Sequence, residues 1–403
     1  MPFSLSFRAF YWLGITALSI VLGIQIILLP WLVLDHLSLS SSWVGWVQTS
    51  VLIPNLLLLL LGGVFADRGQ GVRWLVPVLV GSAILHGLLA ASIYQDGLTI
   101  VMLLIYAVLL GVSHAFIQPW REYLLKVTQP NQVQATVARS SLCLATGQAL
   151  GVAIASTMDI LGAQILLMVQ VAMVLLAIIC FTLLIKCLPV SGAGESSQVP
   201  HRHLLMAGLQ DVWQLPALRS LIVIVAFNGF FHIGVFIVAL PLIVRQVYGE
   251  TVEFYSGLQV AFVIGTIVAT VVVIYRRFLN DPGKRVIFGL LYGGVILLAL
   301  SAGPTVLGLF TLIFLWGLVV GISSTMGRAV VQSLSPEHSR GRIISIYQLA
   351  LFGFAPLGAL FAGYVAQIWG VMELLKLSGI ASLAGFMLTL GIRGLWDVQI
   401  KEV

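Results

Sequence analysis

Polar side chains able to hold a small molecule or a proton are few in this chain, and several come in pairs. Asn228 and His232 are four residues apart, as are His114 and Gln118, and Gln48 and Asn55 are seven apart. On a helix these spacings put both members of a pair on one face. Gln25, Gln259 and Gln348 stand singly in apolar surroundings. Amides and imidazoles hydrogen-bond a polar ligand or one another, and at membrane depth they usually face an interior. A lone amide has an alternative role as a link between helices. Histidine adds proton chemistry, because its unperturbed pKa of about 6.5 lies in the physiological range. His232 is the first candidate for a proton carrier, His114 the second, and Asp35, at the outer end of the first apolar run, the third. His86 is expected to pack away from such a path.

The elements that must position these groups follow from composition. The chain has 403 residues, 60% of them hydrophobic and 8% charged, against about a quarter charged in a soluble domain. Apolar runs at 9–34, 43–66, 74–93, 98–119, 136–158, 163–187, 219–245, 254–276, 285–302, 305–327, 342–367 and 371–392 match the roughly 20 residues that cross a bilayer. The first run has no small-residue cleavage site and reads as a span rather than a removed leader. A β-barrel would show apolar and polar residues alternating, whereas Val51 to Ala66 and Val101 to Ile117 are almost continuously apolar. The 40 glycines suit helices that approach closely. The expected fold is an all-α membrane protein, twelve transmembrane helices in two six-helix pseudo-symmetric bundles. The bundles cover 1–187 and 219–403. Between them, 188–218 reads as a cytoplasmic linker, and His203 to Leu215 has the spacing of an amphipathic surface helix.

Charge fixes the orientation. Of the 20 Lys and Arg, all but Arg245 and Lys376 fall on segments that are inside if the N-terminus is inside, while the outer loops carry Asp35, Asp96, Asp159, Glu250, Glu253 and Glu373. This is the positive-inside pattern, with both termini cytoplasmic. The net charge of +6 is spread over many short loops, which argues against nucleic acid as a partner. Cys143, Cys180 and Cys187 have no metal-ligand spacing, and no His-Glu or Cys-His spacing suggests an enzyme. No cofactor or metal is expected.

An internal repeat supports the two bundles. A shift of 206 residues lays Gly111 on Gly317, Pro130 on Pro336, Gly147 on Gly353 and Ala149 on Ala355, each half holding six spans.

The most specific motif lies at the inner end of span two, from Gly62 to Arg73. Gly63, Asp67 and Arg68 keep the order of a glycine followed by Asp-Arg, and Arg73 supplies the base that Val72 lacks. This resembles the cytoplasmic loop signature of the major facilitator superfamily. The resemblance implies a gate in which Asp67 meets the inner start of span eleven, near Arg340 and Arg342, where a helix N-terminus favours a carboxylate. Ser335 to Arg342, Gly353 to Gly358 and Leu215 to Arg219 resemble the branch holding the enterobactin exporter and bacterial macrolide-efflux proteins. In span four, Ala107 stands where drug/proton antiporters often have arginine, and span five keeps Gly147 and Gly151 without proline. The resemblance implies a monomeric secondary transporter in the cell (inner) membrane. It would export a siderophore-like or amphiphilic drug-like molecule by alternating access, using protons. An uptake carrier or facilitator for a metabolite or lipid remains the alternative. With no Asp, Glu, Lys or Arg near the middle of any span, a strongly charged substrate is disfavoured.

Overall fold

Twelve long apolar helices make up most of the described residues. In a computed structural model the described residues are 5–67, 72–128, 133–186, 212–275, 281–335, 340–390 and 393–398. The helices are α1 (Leu5–Trp31, continuing π-helically through Leu32–His36), α2 (Ser41–Asp67), α3 (Val72–Tyr94), α4 (Ile100–Thr128), α5 (Val133–Ala155) and α6 (Ala163–Lys186). They continue as α7 (Pro216–Tyr248), α8 (Val252–Tyr275), α9 (Pro282–Ser301), α10 (Val306–Leu334), α11 (Arg340–Gly353 and Ala355–Trp369) and α12 (Val371–Thr389). Ten are long and apolar enough to cross a membrane on their described residues, and α2, of 27 residues, and α5, of 23, complete the set. No strand occurs among the described residues.

Helix ends follow local chemistry. Pro216 and Pro282 open α7 and α9, where a missing N–H costs nothing. The hydroxyl of Thr305 caps α10 by accepting from Gly308 N. Two helices outrun their apolar runs: α4 continues to Thr128 and α10 to Leu334. Both extensions keep an apolar side packed inside, at Leu124, Leu125 and Val331, and such packing sustains a helix more than propensity does.

Packing divides the chain into two compact units, one of Met1–Ser40, Ser50–Ser197 and Gly249–Ser256, the other of Ser41–Thr49, Gln198–Tyr248 and Gly257–Val403. In the first, α1 packs chiefly on α5 and α6, and α3 on α6; in the second, α9 packs on α12 and α10, and α7 on α11. Lipid gives helices no hydrophobic reason to associate, so close van der Waals approach must hold each unit together. Glycine permits that approach. A Cβ at Gly151 would lie 2.1 Å from Ile20 O of α1, and one at Gly358 2.1 Å from Phe230 O of α7. Gly111 and Gly317, superposed by the sequence repeat, do the same work in their own units, against Val51 O at 2.2 Å and Phe262 O at 2.1 Å.

The repeat extends to backbone conformation. Left-handed residues occur at Ser38, Asp96 and Gly162, and again at Gly249, Gly303 and Gly370. Each member of the second set lies some 207 to 211 residues after its counterpart, so the same three turns are built twice. Each unit also has an apolar core, around Tyr11, Leu79, Trp120 and Phe181 in the first and Leu221, Leu290, Val330 and Tyr347 in the second. After α12 the short helix Arg393–Trp396 folds back, with Trp396 Nε1 donating to Thr389 O at 2.8 Å and Leu395 only 1% exposed. Of the expected linker, Val212 to Gln214 are described and helical; the rest of its amphipathic segment before Val212 lies outside the described residues.

Candidate functional site

The second unit brings the strongest predicted pair together in a niche. α7 turns π-helical over Gly229–Gly234, a local widening common at functional sites. Asn228 and His232 both line a cavity of about 80 Å³. Trp316, Ser323 and Ser324 of α10 and Tyr347 of α11 add to its polar and aromatic groups, and Val225, Ile233, Val319, Val320 and Leu351 make the rest of the wall aliphatic. Drug-sized sites run to roughly 300–1,000 Å³, so this niche takes one polar substituent rather than a whole ligand.

His232 is 6% exposed, and its orientation is fixed on three sides. Nε2 lies 3.0 Å from Ser382 Oγ of α12. That hydroxyl donates to Leu290 O of α9 at 2.8 Å, which uses its only proton and leaves it to accept from His232 Nε2–H. The inferred tautomer therefore leaves Nδ1 as the site where a proton is gained. The ring lies against the bare Cα of Gly293, where a Cβ would come within 2.5 Å of Cε1. On another side the Trp316 ring stands edge-on at 6.1 Å.

The first unit buries a second polar group set. Tyr106 Oη of α4 donates to Gln25 Oε1 of α1 at 3.1 Å. The His86 ring of α3 packs edge-on against Tyr106 at 5.7 Å, and its Nδ1 meets Ser82 O at 2.5 Å. Gln170 of α6 is fully buried and is the side-chain partner of His86. Within the first unit Gln25 is thus joined to Tyr106, and through the Tyr106 ring to His86.

The remaining predicted residues are dispersed. His114 and Asn55 are half-buried, the latter with its Oδ1 buried. Gln48, half-buried, lies on the Ser41–Thr49 segment of the second unit, and Gln259 of α8 is 6% exposed. Gln118, Gln348 and Asp35 are exposed. Of the gate residues, Gly63 and Asp67 fall in the last turns of α2, Arg73 in the first turn of α3, and Arg340 and Arg342 in the first turn of α11. Their side chains, and all of Arg68, lie outside the described residues.

Several niche residues escape sequence reasoning. Ser382, Tyr347 and Gly293 have no local signature, since each acquires its role from a helix distant in sequence. The Ser323-Ser324 doublet in an otherwise apolar run, and Gln170 in the middle of an apolar one, are signals that point to buried polar positions.

Comparison with known proteins agrees with this architecture. A family model described as the Major Facilitator Superfamily matches residues 11–359. The chain is 23% identical to the "Staphyloferrin A transporter" of Staphylococcus aureus, over 93% of each protein. It is 24% identical to the "Multidrug efflux pump Tap" of Mycolicibacterium fortuitum, over 94% of this chain and 93% of that one. Among solved structures it is similar to a nucleoside transporter, NupG, with a TM-score of 0.78 at 12% identity, covering 96% of this chain and 99% of that one. At that identity the last likeness concerns the fold alone.

Proposed function

From the premise that the chain belongs to the Major Facilitator Superfamily, we propose that this transporter exports a small, weakly charged organic molecule, siderophore-like or amphiphilic and drug-like, in exchange for protons. The observation that carries the reading is the niche of the second unit, a mostly aliphatic cavity into which an amide, hydroxyls, an indole and an imidazole are set, with no charged residue in its lining. Such a wall hydrogen-bonds one polar substituent and packs against the apolar atoms next to it. The two curated relatives, named for a siderophore and for multidrug efflux, support the substrate class.

His232 supplies the coupling. When neutral, its Nδ1 accepts a hydrogen bond from a donor on the substrate, while Nε2–H stays on Ser382. Protonation at Nδ1 removes that acceptor and places a charge in a desolvated niche, a costly state unless access changes. Proton entry from outside therefore releases substrate, and deprotonation inside restores binding. His114 and Asp35 are the next carriers if His232 is not used. Gln25, Gln48, Asn55, Gln118, Gln259 and Gln348 remain candidates for further substrate contacts. Gly63, Asp67, Arg68 and Arg73 with Arg340 and Arg342 form the cytoplasmic gate. The protein works as a monomer in the inner membrane with both termini in the cytoplasm.

The test is efflux from cells with and without the gene, repeated with an uncoupler, using siderophores and macrolides. Deletion should raise accumulation, and the uncoupler should abolish the difference; accumulation lost on deletion would establish uptake and refute export. In proteoliposomes His232→Ala should flatten the pH profile and Asp67→Asn should slow transport with insertion intact. A retained pH profile moves coupling to His114 or Asp35, and an unchanged rate removes Asp67 from the gate.

A further inference from the structure

A second cavity in the same unit has a different character. It is a groove of about 590 Å³ between α7, α9 and α12, with walls including Val223, Phe227, Phe231, Ala384 and Leu388. Val223 is 64% exposed and Leu388 74%, so the groove is open at the surface of the unit. On α7 its lining runs from Arg219 to Phe231, about 18 Å at the helical rise. One leaflet of a hydrocarbon core is about 15 Å deep.

The two ends differ in chemistry. The deep end is aromatic and aliphatic, whereas the shallow end holds Arg219, Ser220 and Trp213. The Arg219 guanidinium stands 5.6 Å from the centre of the Trp213 ring, and the ion pairs among the described residues, Lys284–Asp281 and Lys376–Glu373, do not involve it. A tryptophan and an arginine side by side at the end of a span mark the headgroup level. An apolar slot one leaflet deep, with a cation at its mouth, is complementary to a chain-bearing anion.

We propose that this groove is a binding site for an anionic phospholipid of the cytoplasmic leaflet, one acyl chain lying along α7 and the phosphate held by Arg219 and Ser220. The proposal rests on the orientation given by the basic residues, and not on the direction of transport or on its coupling. It also places the lipid against the transport niche from behind. Leu290 lines the groove and its carbonyl accepts the Ser382 hydrogen bond that orients His232.

The experiment uses the full chain in nanodiscs of phosphatidylcholine with or without phosphatidylglycerol, reading retained lipid by native mass spectrometry after detergent extraction. Wild type should keep phosphatidylglycerol in preference to phosphatidylcholine. Arg219→Gln should retain it roughly fivefold less, and Arg219→Lys should recover most of the loss. Ala384→Trp should block the slot with Arg219 intact, and Val223→Trp, at an exposed position, serves if that variant does not fold. Equal retention by the tryptophan variants, equal retention of the two lipids by wild type, or full displacement by glycerol phosphate alone would each overturn the proposal. Displacement by an exported amphiphile with no phosphatidylglycerol retained would overturn it too, making the groove part of the substrate path. None of these readouts depends on transport, so export can fail its own test without affecting this one.

Discussion

A single imidazole, His232, is held by groups that have no chemistry of their own to advertise. Gly293 gives the ring its space, Ser382 fixes one nitrogen, and Trp316 closes one side. Gly293→Ala should therefore destabilise the protein by about 1–3 kcal/mol, the usual cost of overpacking, and should do so mainly through the ring. In a His232→Ala background the same substitution should be nearly neutral, a coupling measured by a double-mutant cycle in thermal or denaturant unfolding. An equal cost in both backgrounds would show that Gly293 serves helix packing and not the imidazole. At this scale the sequence is half legible. The spacing of Asn228 and His232 is local and places both in the niche, but Ser382 lies 150 residues from His232, beyond what periodicity can read. Gln25 shows the same limit, since its burial says nothing about Tyr106 as its partner.

Helices were the most readable elements, because a bilayer demands long apolar runs and leaves few other arrangements. What periodicity missed lies at helix ends. α5 stops at Ala155, short of its expected end at 158, because a short helix at Met158–Leu161 and the left-handed Gly162 (φ +84°) turn the chain into α6. Gly370 (φ +88°) plays the same part before α12. The first-half turns are less favourable, with Ser38 and Asp96 where the second half has Gly249 and Gly303. Asp96→Gly should thus stabilise the turn between α3 and α4 by up to about 1 kcal/mol, the left-handed penalty of a residue with a Cβ less glycine's unfolded-state entropy. Gly370→Ala should cost about 1–2 kcal/mol by the same reasoning. Thermal unfolding in one detergent checks both signs, and a stabilising Gly370→Ala would refute the shared role of these turns.

For the molecule as a whole, scarcity of charge is the organising fact. Of the 20 basic residues, all but Arg245 and Lys376 lie on segments that the expected topology puts on one side of the membrane, and that orientation is open to direct measurement. With the three cysteines replaced by serine, Ser38→Cys and Gly249→Cys should react with an impermeant maleimide on intact cells. Gln198→Cys should react only after permeabilisation. The reverse pattern would invert the topology, and with it the leaflet assigned to Arg219. The same scarcity explains why substrate identity is not legible in the sequence: uncharged amides and hydroxyls recognise by position, and position is set by helices far apart in the chain.

The short Arg393–Trp396 helix has a practical consequence for handling this protein. Leu395 lies so close to α9 that a Cβ at Gly283 would come within 2.0 Å of its carbonyl oxygen, and Trp396 ties the end of α12. Trimming the chain at the last apolar residue of α12, a common step before crystallisation, would unplug the base of the second unit. Truncations and cleavable tags should begin after Val398, whose side chain is still 7% exposed.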